Sequence, residues 1–144
     1  MKRLAYCTAF AAFFTSLADW RAHCGLLGLT SRMTQQEYDV LLKGVDADIF
    51  LPLWASCAKE EGRPLVDETT LELIRFCKAH GYAPRSLDGN PPDYIGEQFH
   101  FLAYLYAASA TQAAADFEDR VTVDTVRAYG SALRRYGIQG EALE

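Results

Sequence analysis

Basic charge is in short supply in this chain. Fourteen Lys and Arg stand against 19 Asp and Glu, leaving a net charge of −5 with the three His neutral. A nucleic-acid partner, which is normally met by a basic patch, is therefore not expected. A basic peptide is compatible, because complementary charge steers encounter. The four cysteines, Cys7, Cys24, Cys57 and Cys77, form no C-x-x-C pair, so zinc and redox motifs are unsupported. Each fits as a small apolar residue on a helix in a reducing cytoplasm. No apolar run is long enough to span a bilayer, so stable membrane insertion is not expected. No stretch alternates with period two, and Arg120-Val121-Thr122-Val123 is the only β-like fragment. G-x-S-x-G, a P-loop and G-x-G-x-x-G are all missing. There is no internal repeat and no low-complexity tract.

What is present is apolar mass at helical spacing. Half of the 144 residues are hydrophobic and 12 % are aromatic, enough for a sizeable core in one domain spanning residues 1–144. Met1-Lys2-Arg3 followed by Leu4 to Phe14 has the charged and apolar regions of a secretory signal. Tyr6, Phe10, Phe13, Leu17 and Trp20, however, share one face of a 3.6-residue period, a register that a signal does not need. A first helix from Lys2 to Trp20 or Cys24 is the better reading, with Gly25 and Gly28 closing it. Thr34-Gln35-Gln36-Glu37 spells a capping box and opens a helix ending at Gly44, with Tyr38, Leu41 and Leu42 inward. Asp46 or Asp48 opens the next, with Ile49, Phe50, Leu53, Trp54 and Cys57 inward and Lys59 to Pro64 as its closing loop. Asp67 caps another, lined by Leu71, Leu73, Ile74, Phe76 and Cys77 and stopped by Gly81. An Ala-rich helix covers Thr111 to Phe117. Thr122 opens the last, with Val123, Val126, Tyr129, Leu133 and Tyr136 inward and Gly137 as its stop. The expected class is all-α, a bundle-like domain of about six to seven helices.

The central stretch runs from Asn90 to Leu105. Asn90 reads as an N-cap and Pro91 as the first helical residue. Asp93 and Glu97 then sit at the positive end of the helix dipole. Beyond them Ile95, Phe99, Phe101, Leu102, Leu105 and Tyr106 make the helix apolar nearly all round, as in a helix that others pack around. Asp93, Glu97, His100 and Tyr104 form a polar stripe along it. Glu97-x-x-His100 has the spacing of a di-iron ligand pair, but the second pair is missing: Trp20 and Cys77 precede His23 and His80 by three residues. No metal or other cofactor is expected. Asp93 and Glu97 as a catalytic acid and base are less economical than capping and dipole placement, so no catalytic residue is assigned. Trp20 and Trp54 read as core anchors; Trp54 is the one suited to line a peptide groove.

Pro91-Pro92-Asp93-Tyr94-Ile95-Gly96-Glu97-Gln98-Phe99-His100-Phe101-Leu102 resembles the signature P-P-D-H-I-G-x-E-L-E-F-M of the TorD/DmsD/NarJ family of redox-enzyme maturation chaperones. Leu71 to Tyr82 is similar to the family's preceding helix, which ends in V-R-x-F-Y-x-x-x-G-L. The likeness is good over Leu65 to Ala108. It implies an all-helical, non-catalytic, cytoplasmic chaperone. Such a chaperone binds the twin-arginine signal peptide, or a related N-terminal segment, of a molybdopterin-dependent oxidoreductase catalytic subunit until the cofactor is inserted. The motif's Asp and His, associated with signal-peptide recognition, map to Asp93 and Tyr94. The peptide-binding residues implied or suggested are thus Pro91, Pro92, Asp93, Tyr94, Glu97 and Trp54. Two carboxylates at the wet start of an apolar helix suit a leader's two arginines. Tyr94 for His removes a pH-sensitive group, and Glu97 stands one position before the motif's second acid. The family's Y-x-R-L-F…G-P…P segment and most of its C-terminal H-x-x-x-W helices have no match. The chain thus reads as a truncated, divergent member or as one completed by a second copy, since domain-swapped homodimers occur in the family. The other reading is a helical interaction or regulatory module unrelated to molybdoenzymes.

Overall fold

The computed structural model describes residues 2–44, 51–58, 68–84 and 90–136. Among them the chain is all-α: α1 (Lys2–Thr15), α2 (Leu17–Leu26), α3 (Gln35–Lys43), α4 (Ala55–Ala58), α5 (Glu68–Ala79), α6 (Ile95–Ala107), α7 (Thr111–Phe117) and α8 (Val123–Arg135). A π-helical turn, Glu118–Thr122, joins α7 to α8 without a break. The expected caps Asp46, Asp48 and Asp67, the apolar pair Ile49 and Phe50, the loop from Lys59 to Pro64, Gly137 and the tail to Glu144 lie outside the described residues.

α6 is the hub. Ile95, Phe101, Leu102 and Leu105 are fully buried and Phe99 nearly so. Each such side chain contributes about 1.5–3 kcal/mol by leaving water. α1 packs along α6 more extensively than any other element does. Phe14 and Phe99 stack between them with ring centroids 5.9 Å apart. On the far side Phe101 meets Phe117 edge to face and Phe76 of α5 the same way.

Several boundaries follow the local chemistry. Thr34 caps α3 in a full capping box with Glu37. Gly81, at φ +72°, ends the α5 segment, with Tyr82 N–H returning to Cys77 O at 3.0 Å. The first helix differs from expectation. It breaks at Ser16, whose backbone is extended and whose hydroxyl accepts from Asp19 N–H. Serine competes well as an N-cap, and Ser16-Leu17-Ala18-Asp19 carries that signal. The buried face also turns: Cys7, Ala11 and Phe14 point inward, while Tyr6 and Phe10 stay largely exposed. Leu51 to Trp54 do not extend a helix; only α4 follows. On α5, Thr70, Leu73 and Cys77 are buried, whereas Leu71 and Ile74 face out. Arg120 to Thr122 lie in the π turn and Val123 begins α8, so the β-like fragment is helical.

The central helix starts later than Asn90. Pro91 to Tyr94 form a turn closed by Tyr94 N–H to Pro91 O at 3.1 Å, and Tyr94 is the N-cap residue of α6. The second proline explains this: a residue preceding proline is pushed out of the α region, so Pro91 cannot open the helix.

Candidate functional site

The signature turn is a structural clasp. Ile95 N–H donates to Leu53 O, and Ala55 N–H donates to Asp93 O at 3.1 Å. Together they form an isolated antiparallel bridge between Trp54 and Tyr94. Asp93 Oδ2 accepts from Ser56 N–H at 2.8 Å. Ser56 lies in the first turn of α4, so Asp93 caps that helix rather than its own. Gln98 Nε2 donates to Asp93 O at 2.8 Å and to Thr125 Oγ1 at 3.1 Å, tying the turn to α8. Asp93 has no solvent exposure and Glu97 only 2 %. Burial pushes the Asp93 carboxyl above its ordinary range, opposed by the Ser56 N–H and by the Ser56 and Thr70 hydroxyls.

Tyr94 works the other side. Its hydroxyl donates to Phe14 O at 3.0 Å, and the Tyr38 hydroxyl donates to Phe13 O at 2.6 Å. The break at Ser16 strips these carbonyls of their helical partners, and two tyrosines replace them. The Tyr94 ring lies 5.8 Å from Trp54 and against Gly96, where a Cβ would sit 2.8 Å from Tyr94 Cε2. Gly96 is needed for that close approach.

The six residues singled out by sequence therefore do come together, but in layers. Asp93, Tyr94 and Glu97 are buried, while Pro91, Pro92 and Trp54 are half-buried. The wet, polar helix start expected for Asp93 and Glu97 is not there: both carboxylates face the interior. The remaining polar residues of the stripe serve packing. His100 Nε2 is 2.9 Å from Thr15 Oγ1, and the Tyr104 hydroxyl donates to His80 O. Among the described residues no group of three His, Cys, Asp or Glu side chains could hold a metal ion. All four cysteines are buried and unbridged, and burial pushes the Cys7 thiol up to about 11 and Cys77 to about 12. Neither is a ready nucleophile at neutral pH.

An open groove lies elsewhere on α6. Its volume is about 520 Å³, and α1, α6, the π turn and α8 form its walls. Phe10, Phe14, Phe99, Leu102 and Val126 supply apolar surface; Glu118, Thr122 and Arg127 supply the polar atoms. None of the six residues singled out by sequence lines it, although Ile95, next to Tyr94, does. Phe10 is 47 % exposed and Val126 43 %, a poor use of apolar surface unless something covers it. Periodicity alone assigns both to the core; only packing shows that this part of the core is left open.

The family model described as nitrate reductase delta subunit matches residues 6–136. The chain belongs to the nitrate reductase delta subunit family. This NarJ/TorD-type family comprises molybdoenzyme maturation chaperones, not catalysts, and it is the family that the Pro91 to Leu102 signature indicates. Its members partner nitrate-reductase-type molybdoenzyme subunits. The match spans α1 through α8, well beyond the Leu65 to Ala108 likeness. No curated protein and no solved structure gives a match. No helix among the described residues is long and apolar enough to cross a membrane.

Proposed function

We propose that this delta-family chaperone holds the N-terminal segment or twin-arginine signal peptide of a molybdoenzyme catalytic subunit in the α1–α6–α8 groove, in the cytoplasm, until cofactor insertion. The observation that carries the reading is the groove itself: an apolar trough, open to solvent, on the most buried helix of the fold. An amphipathic or apolar helix lays its side chains into such a trough, and about 520 Å³ is ample for several of them. The signature turn acts from beneath. Asp93 and Tyr94 fix the start of α6 and hence the placement of Ile95 and Phe99 in the groove wall. Pro91 and Pro92 of the turn, with Trp54 bridged to it, are the half-buried part that a partner can reach.

Titration of a labelled twin-arginine leader peptide against the wild-type chain and Val126→Glu tests this. Val126 is a half-exposed wall residue, so the substitution leaves the fold intact. It places a carboxylate against the apolar face of the peptide, and affinity falls by about tenfold or more. Equal affinities for the two proteins, with unchanged helical content, would overturn the groove assignment. Asp93→Ala and Glu97→Ala should lower stability while leaving the affinity of the folded protein within about twofold.

A further inference from the structure

Glu118 sits where the groove meets the first residues of α1. It lines the apolar trough and already holds a guanidinium: Arg3 Nη1 lies 2.7 Å from Glu118 Oε2. The other carboxylate oxygen accepts from the Tyr106 hydroxyl. The two partners differ in how firmly they are held. Tyr106 is packed against the core, whereas the Arg3 side chain is 66 % exposed and the Glu118 side chain 21 %. One oxygen is thus pinned from inside the fold and the other is occupied from solvent by a long, replaceable side chain.

Thr122, one turn on from Glu118, adds a second polar feature. It is 4 % exposed and lines the same groove. Thr8, Thr15 and Thr125 all donate to the carbonyl four residues back, the usual use of a helical threonine. Thr122 Oγ1 does not, and it has no hydrogen-bond partner among the described residues. The π turn is the local cause. Val123 N–H reaches Glu118 O, five residues back, so backbone and side chains fall out of the α register there. π turns recur at functional positions, and a buried hydroxyl left without a partner is costly.

Resting on the groove reading above, we infer that Glu118 and Thr122 form a receptor for one arginine of the docked segment, and that Arg3 occupies this receptor until the segment arrives. The incoming apolar helix covers Phe10 and Val126. Its guanidinium takes the Glu118 oxygen that Arg3 releases, and rotation of the Thr122 side chain brings the enclosed hydroxyl to a further N–H. A guanidinium has five donors in a fixed fork, enough to satisfy both groups, whereas a lysine ammonium lacks that planar geometry. Arg3 then acts as a weak internal competitor. Any segment able to fill the trough can bind with the Arg3–Glu118 pair left in place, but only one that carries the arginine displaces Arg3 and gains Glu118 and Thr122 in its stead. The device favours partners with both features.

The test uses three synthetic helical peptides of one apolar sequence that differ at a single position preceding the apolar run: arginine, lysine or glutamine. Each is titrated against the full chain and against Arg3→Ala, Glu118→Gln and Thr122→Val. The wild-type chain should prefer arginine to glutamine. Arg3→Ala should tighten the arginine peptide by up to about fivefold, the worth of an exposed ion pair, and leave the glutamine peptide unchanged. Glu118→Gln should erase the arginine preference, and Thr122→Val should narrow the gap between arginine and lysine. The side-chain Nε–H resonance of Arg3 should shift when the arginine peptide is added and stay put with glutamine. If all three peptides bind alike, and Glu118→Gln changes nothing, the groove stands and the receptor is refuted. If no peptide binds any of the proteins, the groove reading fails and the receptor falls with it.

Discussion

Replacing Gly96 by alanine adds one methyl where the start of α6 lies against Tyr94 and Phe14. In a helix this substitution ordinarily stabilises by about 0.5–1 kcal/mol. Here the new Cβ would lie 2.8 Å from Tyr94 Cε2, 3.1 Å from Tyr94 Cδ2 and 3.2 Å from Phe14 Cβ. None of these atoms yields easily. The Tyr94 ring is held by its hydroxyl bond to Phe14 O and by Trp54, and Phe14 Cβ moves only with α1 itself. Overpacking of this kind costs about 1–3 kcal/mol. Set against the propensity gain, the net loss is about 0–2.5 kcal/mol, or up to roughly 10 °C in melting temperature for a chain of this size. Urea denaturation followed by far-ultraviolet circular dichroism reads it directly. In a Tyr94→Ala background the obstacle is gone, so the penalty of Gly96→Ala should shrink and the two substitutions should be non-additive. A Gly96→Ala protein that is more stable than wild type would refute the close-packing argument. An undiminished penalty in the double variant would show that Tyr94 is not the obstacle.

Three further predictions concern the clasp and the end of α6. Burial raises the native pKa of Asp93 above its ordinary value of 3.8, so the native state binds the proton more tightly than the unfolded chain does. Its contribution is therefore most favourable in acid and is lost as pH rises from about 4 through the raised native value. Asp93→Asn keeps an acceptor for Ser56 N–H but cannot ionise, so its stability relative to wild type should increase with pH across that window; a constant difference in urea midpoints would contradict this. Asp93→Ala loses the acceptor as well and should cost about 1 kcal/mol more than Asp93→Asn, as for a lost helix cap. Ser109, at φ +60°, holds a left-handed conformation after α6 that costs an L-residue about 1–2 kcal/mol. Ser109→Gly should raise the melting temperature by a few degrees, in proportion to that strain, and a fall would show that the serine side chain earns its place.

The signature shows how far local chemistry reaches. Double proline, acid and glycine at fixed offsets mark the turn, the clasp and the close approach in that order. Their direction of action is not local. Nothing in Asn90 to Glu97 says that Asp93 caps α4 instead of α6, because Ser56 lies 37 positions away. Tyr94 is likewise explained only by the carbonyl of Phe14, 80 positions away, which the break at Ser16 frees. A sequence reading puts two carboxylates at a wet helix start. Packing closes them off, since residues 51–58 lie over the turn.

By itself the sequence determined the helical class, the capping box at Thr34, the stop at Gly81, the apolar hub and the family signature. These rest on interactions within a turn or two, or on periodicity. The tertiary structure alone decided which apolar stripe is covered. Tyr6, Phe10 and Val126 have the spacing of core residues, yet they are left open because α1 turns Cys7, Ala11 and Phe14 inward and α8 buries Thr125, Tyr129 and Ala132 instead. A hydrophobic pattern records that a face avoids water. It does not record whether the chain covers that face or leaves it for a partner, and in this protein that distinction is the groove.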